Sequence, residues 1–346
     1  MIERFQLTPD YSISRLVHGG WQFSAGHRLS AGALDDALDV LLASAELGVT
    51  TFDCADIYTG VEELFGRFLE RWRTTSTAGP IQIHTKFVPD YSDLERVDKR
   101  YVERIIDRSL TRLGVERLDL VQYYWWRDDL PGFEQTAVWL AELQRVGKIR
   151  HLAATNLDVA RLERIAAADV RLVTNQVQYS VLDRRPELGL AEYGREAGLK
   201  MLCFGTLAGG FLTDRWLGAS EAPKAANRSL VKYRLIIDEF GGWDAYQSLL
   251  AELASIGSAY EVEASAVALR FVLDQPEVAG VIAGSTRLGQ MRRNAEAFTL
   301  SLSSEDHARI RAHVNVAPGP TGDVFGLERD RDGPHGRIMK YDLNRQ

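Results

Sequence analysis

Two short segments of this chain carry side chains that could act together as an acid–base group. Thr51-Phe52-Asp53-Cys54-Ala55-Asp56-Ile57-Tyr58 ends one strand-like run, and Ile83-His84-Thr85-Lys86-Phe87 ends the next. A lysine held beside a buried Asp53 stays charged, and its field favours the phenolate of Tyr58. That would suit the phenol to general acid work near neutral pH. The alternative is a structural Asp53–Lys86 pair beside a packing tyrosine, since ion pairs at strand ends also have purely structural uses.

Both segments sit in an alternation of element types. Apolar strand-like runs hand over repeatedly to amphipathic helix-like stretches, the pattern of a parallel sheet built from βα units. Strand-like runs fall at Ser14–Gly19, Thr50–Cys54, Ile81–Phe87, Asp119–Trp125, Ile149–Ala154, Arg171–Val177, Lys200–Phe204 and Val278–Ala283. Helical stretches follow over Ser30–Leu47, Glu62–Trp72, Lys99–Leu113, Phe133–Val146, Val159–Ala168 and Glu187–Ala197. Ser30 and Asp158 stand at N-cap positions, and Gly48, Gly114, Gly147 and Gly198 follow helices where a left-handed residue is wanted. About eight strands predict a (β/α)8 TIM barrel, whose chemistry gathers at the C-terminal strand ends. We read residues 1–346 as a single domain. A long loop follows the seventh strand (Phe204 to Trp243), and residues 315–346 form a tail over the barrel mouth.

Composition narrows the function classes. With 41 basic and 48 acidic side chains the net charge is 41 − 48 = −7, which argues against a nucleic-acid or anionic-membrane partner. The two cysteines, Cys54 and Cys203, are too few and too far apart for a disulfide framework or a thiolate zinc site. No signal-like N-terminus or membrane-length apolar run is present, so the expected address is the cytoplasm. Neither G-x-G-x-x-G nor a P-loop, zincin or G-x-S-x-G motif occurs.

The motifs, taken in order, resemble the aldo-keto reductase superfamily. The resemblance starts at Phe52-Asp53-Cys54-Ala55-Asp56-Ile57-Tyr58, then Glu62-Glu63 with Gly66, then Thr85-Lys86. It continues through Leu113-Gly114, Leu118-Asp119-Leu120-Val121-Gln122, Gly147-Lys148-Ile149-Arg150 with Ala154-Thr155-Asn156, and Asn175-Gln176-Val177-Gln178-Tyr179. It closes on Ile282-Ala283-Gly284-Ser285-Thr286-Arg287 with Asn294, so that it spans about Gly19 to Asn294.

The resemblance implies Tyr58 as proton donor, tuned by Asp53 and Lys86. It implies Thr155, Asn156 and Gln176 on the nicotinamide carboxamide, Phe204 stacked on the nicotinamide ring, and Gly205, Leu207 and Gly209 near the pyrophosphate. Gly284, Ser285, Thr286 and Arg287 would receive an adenosine 2′-phosphate, with Gln290 and Asn294 by the adenine. Gly19, Gly20 and Trp21 would line substrate and cofactor. Arg287 favours NADP(H) over NAD(H), because a guanidinium matches phosphate geometry.

One position departs from the family pattern. Most members end the fourth strand with a histidine, and this chain has Tyr124 there. Strand alternation puts Tyr124 on the same side as Leu120 and Gln122, where a hydroxyl can still polarise a substrate carbonyl. Filling of the barrel mouth is the alternative. Trp21, Trp125 and Trp126 suggest an aromatic substrate wall, and Arg329, Arg331, His335 or Arg337 of the tail could meet an acidic or polar substrate, unless the tail is simply solvated.

The expected function is NADPH-dependent interconversion of an aldehyde or ketone and an alcohol. A second reading is an NADP(H)-binding regulatory or redox-sensing subunit. A third is a metal-dependent hydrolase using Asp53, Asp56 and His84; no metal is otherwise expected.

Overall fold

Asp53, Tyr58 and Lys86 are carried by neighbouring staves of a closed barrel. The computed structural model describes residues 1–24, 33–76, 78–127, 129–221 and 227–344. Its barrel strands are β3 (Leu16–Gly19), β4 (Thr51–Asp53), β5 (Gln82–Phe87), β6 (Leu118–Tyr123), β7 (Ile149–Thr155), β8 (Thr174–Gln178), β9 (Lys200–Phe204) and β10 (Val278–Gly284). All pair in parallel with their sequence neighbours, and β10 closes the cylinder on β3 through Ile282↔Val17 and Gly284↔Gly19. The helices packed outside include α1 (Ala33–Glu46), α2 (Val61–Thr75), α3 (Lys99–Leu113), α4 (Phe133–Arg145), α5 (Val159–Ala167) and α6 (Leu190–Ala197). This is the (β/α)8 barrel that the alternation predicts.

Two cores hold it. The larger lies between strands and helices, where Phe52, Phe65, Phe68, Tyr123 and Phe133 are fully buried. A smaller one fills the cylinder with Val17, Leu120, Ala153, Leu202 and Ala279. Local signals match the packing. The Asp158 side chain accepts from Arg161 N at 3.0 Å, as its N-cap assignment requires. Gly114 ends α3 at φ 63°, the left-handed conformation that glycine adopts without a Cβ clash. Ser30, the other expected cap, lies outside the described residues.

The structure differs from the sequence reading at two places. The stretch before the first barrel strand forms an antiparallel hairpin, β1 (Arg4–Thr8) with β2 (Tyr11–Ser14). Its Tyr11 and Ile13 plug the interior core from the end where the strands begin. The long loop after β9 carries one α-helix that the sequence reading left out, α7 (Arg228–Phe240), behind an Asn227 cap that accepts from Leu230 N at 3.0 Å; α8 (Gly242–Ala259) and α9 (Ala264–Leu273) follow it. After α10 (Leu288–Ala295) and α11 (Ser304–Val316), the tail crosses the mouth, anchored by the short α12 (Gly326–Arg329).

The tail is held by charge. Buried Arg185, in the loop after β8, pairs with Asp183 at 2.7 Å and with Glu328 of α12 at 3.0 Å. Lys232 of α7 approaches Glu328 at 3.8 Å. Glu328 has its pKa down at about 2: burial opposes ionisation, but Lys232 and Arg185 outweigh it.

Candidate active site

The C-terminal ends of β4, β5, β6 and β8 converge on one carboxylate. Lys86 Nζ donates to Asp53 Oδ2 and to the Cys54 carbonyl, both at 2.7 Å. The other carboxylate oxygen, Oδ1, accepts from Gln122 Nε2 at 2.8 Å and from Gln176 Nε2 at 2.7 Å. Register makes this group: Asp53 is paired with His84, two residues before Lys86, and Lys86 is paired with Gln122. Burial disfavours the Lys86 ammonium, yet Asp53 and Tyr58 outweigh it, and its pKa stands above that of ordinary lysine.

Tyr58 lies in the turn after β4, with the Lys86 ammonium 4.9 Å from its ring centroid. Its ring meets Trp21 edge-on at 4.8 Å. The net effect on the phenol reverses part of the sequence expectation. Burial raises its pKa, Lys86 only partly offsets this, and Asp53 raises it further. Tyr58 is therefore a phenol kept protonated at neutral pH, with a fixed cation at its ring.

These groups open into a cavity of about 530 Å³, a volume typical of small-molecule sites. Its wall includes Tyr58, Lys86, Tyr124 and Trp126 at one end, Thr155, Asn156, Gln176, Phe204 and Leu207 in the middle, and Gly284, Ser285, Thr286, Gln290 and Asn294 at the other. The tail supplies Phe325, Ile338, Met339, Lys340 and Leu343.

A model of the aldo/keto reductase family matches residues 15–315. The chain belongs to that family. Protein tas of Escherichia coli is 30% identical over 270 residues, covering 71% of this chain and 75% of tas. The aldo-keto reductase yakc [NADP(+)] of Schizosaccharomyces pombe is 26% identical, covering 83% of this chain and 87% of yakc. The NADH-specific methylglyoxal reductase of E. coli is 25% identical, covering 88% and 95%. In fold, the chain is similar to the glycerol dehydrogenase of Gluconobacter oxydans, with a TM-score of 0.78 at 23% identity over 93% of this chain and 97% of the dehydrogenase.

Within this aldo/keto reductase, the cavity has the features that a nicotinamide cofactor needs. Asn156 sits at φ 58° with its backbone N–H on the Gln176 carbonyl at 2.8 Å, and its side-chain Oδ1 is buried with no partner. Thr206 Oγ1, also in the wall, is buried and unpartnered too. Such orphaned atoms are costly unless a ligand satisfies them. Gly205 and Gly209 have φ 71° and 64°, and a Cβ on either would come within 2.6 Å of Tyr233. Both glycines let this turn pack on Tyr233 while it lines the cavity. The unpartnered Asn156 Oδ1 and Thr206 Oγ1, with the Phe204 ring in the same wall, fit such a cofactor.

Four expected site residues lie elsewhere. Gly20 is behind the wall, where a Cβ would strike Val61 at 2.8 Å and Phe65 at 2.9 Å; Gly19, Trp21 and Gln22 face the cavity instead. Trp125 is 1% exposed in the helix-side core, its indole N–H on the Arg127 carbonyl at 2.7 Å. Strand alternation explains this: Tyr124 and Trp126 face inward, so Trp125 cannot. Arg287, the N-cap of α10, is exposed and outside the wall. His335 is buried against α7, 3.5 Å from Glu239.

The tail arginines also miss the cavity wall. Arg331 stacks over Tyr91 at 4.3 Å, and Arg337 is exposed. Arg329 lies 5.3 Å from the Tyr124 ring centroid and donates to the Asn156 carbonyl at 2.8 Å. The three side chains of the hydrolase reading are not gathered either. Asp53 is taken by Lys86, Asp56 accepts from Val88 N at 3.2 Å, and His84 Nε2 meets the Tyr11 hydroxyl at 3.1 Å.

Sequence reasoning missed Arg228, Lys232, Glu263 and Arg293, all in the wall. A basic pair, Arg292-Arg293, directly before Asn294 was the available signal for one of them. Among the described residues no helix is long and apolar enough to cross a membrane.

Proposed function

We propose that this member of the family interconverts an aldehyde or ketone and an alcohol with NADP(H) or NAD(H), using Tyr58 as general acid and base. The observation that carries the reading is the buried Lys86–Asp53 pair at 2.7 Å with the Lys86 ammonium 4.9 Å from the Tyr58 ring. When bound, the nicotinamide supplies the hydride for the carbonyl carbon, or accepts it in the reverse direction.

Tyr58 gives its hydroxyl proton to the carbonyl oxygen as that oxygen becomes an alkoxide. The fixed Lys86 charge stabilises the phenolate left behind, and Asp53 holds the ammonium in place. Gln122 and Gln176 hold Asp53, so four strand ends brace a single proton donor. The Tyr124 hydroxyl adds a second donor on the carbonyl oxygen. Trp21, Trp126, Phe325 and Met339 exclude water from the reacting end. We place the protein in the cytoplasm and read residues 1–346 as one functional domain. The regulatory-subunit reading uses the same cavity but leaves Tyr58 and the buried pair without a task.

Tyr58→Phe tests this. With a panel of aldehydes and ketones, turnover is expected to fall by at least about 10³-fold, near the upper part of the range for general acid catalysis, while nucleotide binding changes little. Because the folded Tyr58 pKa is raised, carbonyl reduction by the parent protein should stay flat through neutral pH and fall only beyond the ordinary tyrosine range. Turnover that persists in Tyr58→Phe refutes the assignment.

A further inference from the structure

We propose that Glu263 sets the cofactor preference of this reductase, by occupying Arg293 with an internal anion at the adenosine end of the cavity. The proposal rests on the cavity being the nicotinamide-cofactor site. Glu263 is the N-cap of α9, and its side chain makes no capping hydrogen bond there. Its carboxylate is instead directed to Arg293 of α10, with Oε2 3.5 Å from the guanidinium Nε. Both residues line the cavity beside Ser285, Thr286 and Gln290. Glu296, just beyond α10, senses the same two charges: burial and Glu263 push its pKa up, and Arg293 pulls it down.

The charge count at this end decides the matter. Arg287 is outside the wall and Arg228 is turned to the tail, donating to the Ile338 carbonyl, so among the described residues Arg293 is the guanidinium beside Ser285 and Thr286 that a ribose 2′-phosphate would meet. An adenosine 2′-phosphate is a dianion near neutral pH and gains most from an arginine fork that is free to receive it. Here the fork already has a carboxylate partner, and a phosphate on Arg293 must also sit beside that carboxylate. A ribose 2′-hydroxyl carries no charge and meets neither penalty; Glu263 can accept its proton as a hydrogen bond. The pair is half exposed, so the bias is modest rather than absolute. The protein should therefore use both nucleotides, with a narrow preference.

The test is equilibrium binding followed by NADPH and NADH fluorescence, with 2′,5′-ADP and 5′-AMP, which lack the nicotinamide, measured as competitors that displace NADPH. The parent protein is expected to bind NADPH and NADH within about tenfold of each other, a gap of 1.4 kcal/mol or less. Glu263→Gln should shift the NADPH:NADH affinity ratio about five- to tenfold toward NADPH, with 2′,5′-ADP gaining in parallel and 5′-AMP not. Arg293→Gln in the Glu263→Gln background should erase that shift. A parent preference for NADPH above a hundredfold overturns the proposal, as does a Glu263→Gln ratio equal to that of the parent. If neither NADPH nor NADH binds, the reading of the cavity itself fails, and Glu263 loses its role with it.

Discussion

Replacing Tyr124 by phenylalanine removes one oxygen from a position whose surroundings can be counted. The ring is 4% exposed, edge-on to Trp126 at 4.9 Å and to Phe325 at 5.8 Å, and beneath the Arg329 guanidinium at 5.3 Å. Phenylalanine keeps all of these ring contacts. Among the described residues the hydroxyl makes no hydrogen bond to the protein, so its loss strands no partner. The stability change should then be within about 0.5 kcal/mol. At roughly 2.1 cal/mol/K of unfolding entropy per residue, a chain of 346 residues should shift its Tm by less than about one degree.

Catalysis is where the loss should show. Removing a sole donor to a developing oxyanion costs about 10²–10³ in rate, some 2.7–4 kcal/mol. Tyr58 serves the same oxygen, so the lower end applies, and kcat/KM for carbonyl reduction should fall about 10²-fold. Burial pushes the Tyr124 pKa up to about 12, with Arg329 pulling it down only in part, so the hydroxyl is present as a donor at every working pH. Tyr124→His should recover part of the rate, because an imidazole offers another donor at the same strand position. The assay is steady-state reduction of an aldehyde panel, with a thermal melt of each variant. A Tyr124→Phe protein with unchanged Tm and kcat/KM within threefold of the parent would show that this phenol only fills the mouth.

Two further outcomes follow from buried charges. Lys86→Met leaves the Asp53 carboxylate, 4% exposed, without its cation, and breaking such a pair costs about 3–5 kcal/mol, a Tm loss of about 4–7 °C by the same scaling. A melt that matches the parent would refute it. Asp56 is buried with Oδ1 unpartnered, and burial together with nearby Glu62 pushes its pKa up to about 8. A raised folded pKa means its stabilising contribution is complete below about pH 4 and is lost as pH rises through 8. Asp56→Asn should thus melt above the parent at pH 8.5, and that gain should shrink toward pH 5; equal gains at both pH values would contradict this.

The sequence made the Asp53–Lys86 pair legible because both stand at the ends of short strands, where alternation and chain order dictate the neighbours. Asp53 and Lys86 needed only eight strands in series to meet, whereas Gln176, expected on a carboxamide, also braces Asp53. The same alternation located Tyr124 and, read one residue further, would have moved Trp125 into the core and Trp126 into the wall. Other features were hidden because they depend on contacts between distant segments. Nothing local in Tyr11 reveals that it caps the cylinder, and nothing in Glu328 marks it as the partner of Arg185. Arg287 matched a phosphate motif by spacing, but its place at the start of α10 leaves it at the surface. Glu263 gave no motif, since its meaning depends on a guanidinium 30 positions later in the chain.

The charge group that joins the β8 loop, α7 and α12 limits how far the molecule can be cut down. Anyone trimming the protein to a minimal cylinder by deleting residues beyond α11 would remove Glu328. Arg185 would keep Asp183 alone, and Lys232 would lose its carboxylate beside the Phe204 ring, whose centroid is 5.0 Å from its ammonium. A stranded interior cation costs several kcal/mol. The apparently dispensable appendage is thus part of the scaffold's electrostatic closure, and a shortened version would need a neutral replacement at Lys232 while keeping Arg185 for Asp183.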